Sequence, residues 1–148
     1  MINRILLVLY LFTVATIMFR LSKRVEYGLM ALQHLARQSG VATAREIADA
    51  RDIPYDLLAK VMQSLKRDGI IDSYQGVKGG YALMLTPEAI PLKRVIEALE
   101  EDVALTDCNA TGADGCDRFA TCTIREPLGG LQQKMAETFS GMTIAQLL

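Results

Sequence analysis

Three predicted helices followed at once by a glycine-rich hairpin constrain the fold more than any other feature of this 148-residue chain. Ser22 can cap the first helix, and its apolar stripe contains Val25, Leu29, Leu32, Leu35 and Ala36. Thr43 and Glu46 form a capping box that begins a short second helix. Pro54 suits the first position of a third helix, which Gly69 ends. Two short helices joined by a tight turn and preceded by a longer helix are typical of a helix-turn-helix.

The hairpin is predicted from two strand-like segments, residues 70–74 and 81–85, which flank the glycine-rich sequence 75–80. Glycine-rich loops also bind phosphate, but this one lacks the Walker spacing and no Lys-Ser/Thr pair opens a following helix. A hairpin directly after a third helix is the wing of a winged helix, in which the third helix enters the major groove of DNA. We therefore expect a mainly α fold with a small β-hairpin, a winged helix-turn-helix over residues 19–101.

The rear of the chain has two more predicted helices, which begin at Pro91 and Pro127. The second has an apolar stripe spaced like the seam of a helix pair. This stripe could pack back on its own chain, or it could join two copies. Because helix-turn-helix proteins usually bind paired half-sites, we expect a homodimer, with a dimerisation helix and a C-terminal turn over residues 126–148. The residues expected at this interface are Leu131, Met135 and Phe139.

The three cysteines of the chain are Cys108, Cys116 and Cys122. They lie in a segment of small, polar and acidic residues, 102–125, which we expect to be a loop that binds a cluster. Such a segment cannot pack as a core, which leaves a disulfide, a redox switch or a metal as the reason for the thiols. A disulfide would leave one thiol unpaired. Nearby glycines let the chain fold back, so three thiolates can converge on one centre. We therefore expect one metal site, where zinc or an iron-sulfur cluster would need a fourth ligand from elsewhere.

Charge is distributed unevenly along the chain, although the net charge is only −1. Residues 20–94 contain 12 basic and 8 acidic side chains, whereas residues 95–148 contain 3 and 9. The front half therefore favours polyanions such as double-stranded DNA.

Residues 1–18 form an apolar leader in which Arg4 precedes an apolar run. Three explanations are open: a start assigned too far upstream, a membrane anchor, or a cleaved signal peptide. Everything after the leader has the character of a cytosolic protein. We expect a cytoplasmic protein with no membrane partner and exclude the leader from the fold prediction.

Four short sequences resemble the IscR/NsrR type of bacterial winged-helix regulators, most closely the branch that regulates SUF iron-sulfur assembly. They are residues 20–23 (RLSK), 76–81 (GVKGGY), 96–100 (IEALE) and 105–108 (LTDC). The resemblance covers residues 19–148. It implies a dimeric transcription factor whose iron-sulfur cluster, 2Fe-2S or 4Fe-4S, alters its DNA affinity.

Carried over by position, the resemblance makes the three cysteines cluster ligands. Position 125, where IscR-like members place a histidine ligand, is Arg125, and a guanidinium has no lone pair to offer. Glu26 falls where NsrR-like members have an acidic ligand donated by the other subunit, so we expect it to be the fourth ligand. His34, the only histidine, lies about 12 Å from Glu26 by helical rise, too far to share a small cluster with it.

For DNA, we expect the exposed face of the third helix to contact base edges and basic side chains to contact phosphates. The expected base contacts are Tyr55, Asp56, Ala59 and Lys60. The expected phosphate contacts are Ser22, Lys23, Lys66, Arg67 and Lys78. Gln75 completes this set in the wing, at the position where IscR-like members have an arginine.

Two other classes of protein compete with the cluster-controlled regulator. A winged helix with a zinc site, or with a bare thiol switch, would keep DNA binding without iron. An enzyme is the weaker rival, because Cys122 has no histidine near it in sequence to activate a nucleophile. We expect no catalysis and no small-molecule substrate.

Overall fold

The computed structural model describes residues 20–38, 40–100 and 103–148. The predicted leader and the predicted domain boundary at residue 101 lie outside the described residues. Six α-helices and one hairpin confirm the mainly α class: α1 Lys23–Arg37, α2 Ala44–Arg51, α3 Tyr55–Arg67, β1 Ile71–Tyr74, β2 Gly80–Leu83, α4 Leu92–Leu99, α5 Asp107–Thr111 and α6 Arg125–Gly141. Short 3-10 helices span Pro87–Ala89, Gly112–Gly115 and Ile144–Leu147. None of the helices in these ranges combines the length and hydropathy needed to cross a membrane.

The predicted caps begin the first two helices. Ser22 Oγ accepts a hydrogen bond from the backbone N–H of Val25 at 3.4 Å. At the start of α2, Thr43 Oγ1 accepts from Glu46 N at 3.1 Å, and the Glu46 carboxylate accepts from Thr43 N at 2.7 Å. These bonds from Thr43 hold the pKa of Glu46 below its usual 4.5. The bonds of the Glu46 carboxylate therefore stabilise the fold fully above pH 4.5, and their contribution is lost as the pH falls through the lowered pKa.

Helices α1, α3 and α4 pack around one apolar core. Its largest fully buried side chains include Leu32, Leu58, Met62, Leu65, Ile96 and Leu99. Gly28 lets α1 approach α4 closely, because a β-carbon added there would collide with Leu99 Cδ1 and lie 3.5 Å from Val61 Cγ1. The spacing between α1, α3 and α4 therefore depends on the missing side chain at this position.

The wing is fixed to the helix-turn-helix at its base. Strands β1 and β2 are antiparallel, with Ile71 opposite Leu83 and Tyr74 opposite Gly80. Ala42, just before α2, forms an isolated bridge with Tyr81, with N–O distances of 3.0 and 2.8 Å. The hairpin is therefore oriented by backbone bonds to the segment that leads into the second helix.

The end of the chain returns to the core of the winged domain after α6. Leu92 N donates to Met142 O at 2.8 Å, and Ile144 N donates to Ile90 O at 3.0 Å. Ile144 is fully buried in the shared core. The segment after α6 is therefore integrated with the segment that precedes α4.

Candidate nucleic-acid interface and cysteine segment

Helix α3 has one buried and one exposed face. Leu58, Val61, Met62, Ser64 and Leu65 form the buried face. Tyr55, Asp56 and Lys60 are exposed, and Ala59 is half-buried. The residues predicted to contact bases therefore share a side of the helix that solvent reaches, as recognition by a helix in the major groove requires.

Arg45 joins this surface, although the sequence analysis did not single it out. Its guanidinium carbon lies 4.1 Å from the centroid of the Tyr55 ring, which links α2 to α3 through a cation–π contact. Position 45 lies between the two capping-box residues, Thr43 and Glu46, so an exposed side chain was foreseeable there. Contact with a ring of the next helix was not.

The wing places both of its predicted DNA contacts in solvent. Gln75 and Lys78 are exposed on either side of Val77, whose side chain is fully exposed. Gly79 N donates to Gly76 O at 2.9 Å and closes the turn. The tip therefore presents a polar and basic edge beside a projecting apolar side chain.

Lys66, predicted to contact phosphate, also connects α3 to the wing. Its ammonium donates to Ser73 Oγ and lies 3.6 Å from Asp72 Oδ1. Arg67, the next residue, is exposed. Lys66 therefore orients the wing against the end of α3, and its charge is partly offset by Asp72.

Two residues with different predicted functions, Lys23 and Glu26, form an ion pair at the start of α1. The Lys23 ammonium pairs with the carboxylate of Glu26, and the hydrogen bond and charge of Glu26 raise the pKa of Lys23 above its usual 10.5. Glu26 was predicted as the fourth cluster ligand and Lys23 as a phosphate contact. Ligation by Glu26 would therefore release Lys23.

The cysteine segment holds its three thiols half-buried, and none of them forms a disulfide. Cys108 lies on α5, where its sulfur is 3.2 Å from Thr106 Oγ1. Across residues 20–38, 40–100 and 103–148, no three His, Cys, Asp or Glu side chains gather into a group that could hold a metal ion. Three thiols and a carboxylate suit a cluster as a donor set, but this arrangement of one chain does not bring the predicted ligands together.

Arg125, at the position where IscR-like members have a histidine ligand, makes a structural contact with the cysteine segment. Its Nη1 donates to Phe119 O at 2.7 Å, and its guanidinium carbon lies 4.3 Å from the centroid of the Phe119 ring. The first residue of α6 therefore anchors the part of the cysteine segment that lies between Cys116 and Cys122.

The predicted dimer residues have different environments in the single chain. Phe139 packs against the core, whereas Leu131 is 46% exposed. Met135 lines a cavity of about 340 Å³ between the start of α1, α4 and α6. The predicted stripe thus packs partly on its own chain, and the dimer through these residues stays a prediction.

The sequence profile of the Rrf2 family, described as an iron-dependent transcriptional regulator, matches residues 21–148. The chain belongs to the Rrf2 family. Protein Rrf2 of Nitratidesulfovibrio vulgaris is 30% identical over 131 residues, covering 87% of each chain. The regulator IscR of Aliivibrio salmonicida is 26% identical over 131 residues, covering 87% of this chain and 77% of that protein. These matches confirm the resemblance to IscR-type regulators.

The Rrf2 fold is also found in a solved structure, that of CymR, the global cysteine regulator of Bacillus subtilis. Its TM-score is 0.70 at 23% identity, and the match covers 88% of this chain and 96% of CymR. The likeness confirms the winged-helix fold. The family match, not this likeness, makes the chain a DNA-binding transcriptional regulator.

Because Arg45 is exposed beside the recognition helix, we expect its guanidinium to contact one phosphate. Replacing Arg45 with Ala should then weaken DNA binding about threefold to tenfold and lower the slope of log affinity against log salt by about one. Fluorescence anisotropy on an operator fragment over a range of salt concentrations measures both quantities. Tyr55→Phe keeps the ring beneath Arg45 and should keep the slope. Arg118→Ala removes an exposed arginine of the cysteine segment, so an equal loss there would attribute the effect to net charge alone.

Proposed function

We propose that this Rrf2-family protein is a cytoplasmic regulator that binds operator DNA as a homodimer, with an affinity controlled by an iron-sulfur cluster. Cys108, Cys116 and Cys122 would hold the cluster. The observation that supports this most is the presence of three free, half-buried thiols in one segment that is joined to α6 rather than packed in the core. The iron-dependent description of the family and the resemblance to IscR agree with it. Iron-sulfur assembly genes are the proposed targets.

The cluster would supply a link among the three thiolates of the cysteine segment. The three cysteines would provide three ligands, and Glu26 of the second copy would provide the fourth. Glu26 lies on α1, and α1 packs directly on α3. A change in the pairing of Glu26 with Lys23 would therefore act on a helix that touches the recognition helix.

The test is purification of the full chain without oxygen, followed by metal analysis, an absorption spectrum and a gel shift with and without the bound metal. We expect iron and sulfide in about equal amounts. The two states should differ in operator affinity by at least about fivefold, which is the lower end of ordinary coupling between sites. Zinc, or no metal, would reject the cluster. An affinity that is the same in both states would reject its control of DNA binding.

Glu26→Ala tests the fourth ligand in the same assay. The variant should bind the cluster poorly or change its spectrum, because a carboxylate is lost. Glu88→Ala removes another exposed carboxylate, outside α1, and should change neither. An unchanged spectrum and DNA response in Glu26→Ala would reject this role for Glu26.

A cluster-free thiol switch is the second candidate. It is favoured by the three free, half-buried thiols and by the fold shared with CymR, a cysteine regulator. Here a peroxide would oxidise two thiols to a disulfide and be reduced to water or an alcohol plus water, with the thiol protons transferred to the peroxide oxygens. Metal-free protein whose DNA affinity changes with peroxide and recovers with dithiothreitol would favour this function over the cluster. A zinc site in the same segment would instead appear in the metal analysis.

A further inference from the structure

Gln132 connects α6 to the start of the cysteine segment. Its side-chain Nε2 donates to Val103 O at 2.7 Å, and its Oε1 accepts from Leu105 N at 2.8 Å. One amide thus bonds to the backbone on both sides of Ala104, as a neighbouring strand would. Side-chain amides offer both a donor and an acceptor, so Gln is suited to this contact in a way that Glu is not.

The same helix holds the cysteine segment at a second point. Arg125, at the start of α6, donates to Phe119 O and covers the Phe119 ring. Cys108 lies shortly after the segment held by Gln132, and Cys122 lies shortly after Phe119. Each bond therefore fixes the backbone close to a thiol, and both bonds end on α6.

From α6 there is a packed connection to the recognition helix. Helix α6 packs on α4, and Arg94 of α4 donates from Nε to Asp68 Oδ2 at 2.7 Å. Asp68 is the C-cap of α3. Helix α4 therefore contacts both α6 and the C-terminal end of α3.

We infer that Gln132 is a positioning residue that couples the arrangement of the cysteine segment to α6. The regulatory use of this coupling rests on the proposed function, but the coupling itself does not. No periodicity or motif marks position 132. Gln133 beside it is exposed and bonds along the helix, to Glu137 at 2.9 Å. Gln133→Ala is therefore a matched control for Gln132→Ala.

The test is hydrogen exchange of the full chain before and after its thiols are alkylated with iodoacetamide. In wild type and Gln133→Ala, alkylation should change exchange across α6. In Gln132→Ala, the Leu105 amide should exchange about fivefold faster than in wild type, because one modest hydrogen bond is lost. In this variant, alkylation of the thiols should leave the hydrogen exchange of α6 unchanged. Gln132→Glu keeps the acceptor for Leu105 but not the donor to Val103. Its hydrogen exchange at Leu105 and across α6 should fall between that of wild type and that of Gln132→Ala.

The inference would be overturned if alkylation changed the hydrogen exchange of α6 as much in Gln132→Ala as in wild type. It would also be overturned if alkylation did not change the hydrogen exchange of α6 in wild type. A thermal melt of each variant detects general unfolding, which would speed exchange throughout the core rather than at Leu105 and α6. Operator affinity of wild type with and without the bound metal tests the proposed function separately. If α6 responds to alkylation but that affinity is the same in both states, control of DNA binding by the cluster fails while the role of Gln132 stands.

Discussion

Replacing Cys108, Cys116 and Cys122 together with Ser is expected to leave operator binding intact and to abolish its response to iron and sulfide. The three side chains are only half-buried and lie outside the apolar core, so the free energy of unfolding should change by less than about 1 kcal/mol. In wild type the response should be at least about fivefold, as is usual for coupled sites. In the variant the affinities with and without reconstitution should be equal.

The matched control introduces the same side chain into the same segment without touching a thiol. Ala110, Ala113 and Ala120 are exposed, and their triple replacement by Ser should keep the full response. Gel shifts of protein reconstituted with iron and sulfide, beside untreated protein, compare the two variants directly. If the cysteine-free protein still responds, the sensing groups lie elsewhere in the chain.

Gly80→Ala is expected to have the largest structural effect of the single substitutions considered. A β-carbon at Gly80 would lie 2.7 Å from both the carbonyl carbon and the carbonyl oxygen of Ala42 and 3.0 Å from Thr43 N. These are backbone atoms that cannot move aside as a flexible side chain could. The wing must then separate from the segment before α2, which should lower the free energy of unfolding by about 2 kcal/mol. Operator affinity should fall at least about tenfold, because the wing is displaced.

Urea unfolding monitored by circular dichroism measures this loss, and anisotropy measures the operator affinity. Gly130→Ala is the control, since nothing lies within 4 Å of a β-carbon there. Gly130 is inside α6, so Ala should stabilise the helix by up to about 1 kcal/mol. A Gly80→Ala protein as stable as wild type would mean that the bridge between Ala42 and Tyr81 does not fix the wing.

The helices of the winged domain were predictable because their starts are encoded locally. The Ser22 cap and the reciprocal bonds of Thr43 and Glu46 form at the positions that the sequence predicts from these side chains. The apolar stripe of α3 determines which face is buried, and so which residues remain for DNA. Pro54 is the N-cap of α3 rather than its first residue, a difference of one position at a helix end.

The cysteine segment was less predictable, because its structure depends on contacts between distant residues. The short α5 has no apolar stripe that could mark it, and the segment was expected to be a loop. The bonds of Gln132 to Val103 and Leu105 join positions that share no pattern in sequence. The contact of Arg45 with Tyr55 is of the same kind. Whether Glu26 meets the thiols of a second copy depends on a surface between chains, which one sequence does not encode as a motif.

The attachment of Met142 and Ile144 to the residues on either side of Pro91 limits how α6 can move. A rod tethered at one end can pivot but cannot slide along its axis. Arg125 lies about 25 Å from Met142 by helical rise, so a tilt of about 5° would displace it by roughly 2 Å. When α6 tilts, its end beside the thiols therefore moves furthest, while its other end stays fixed against the DNA-binding domain.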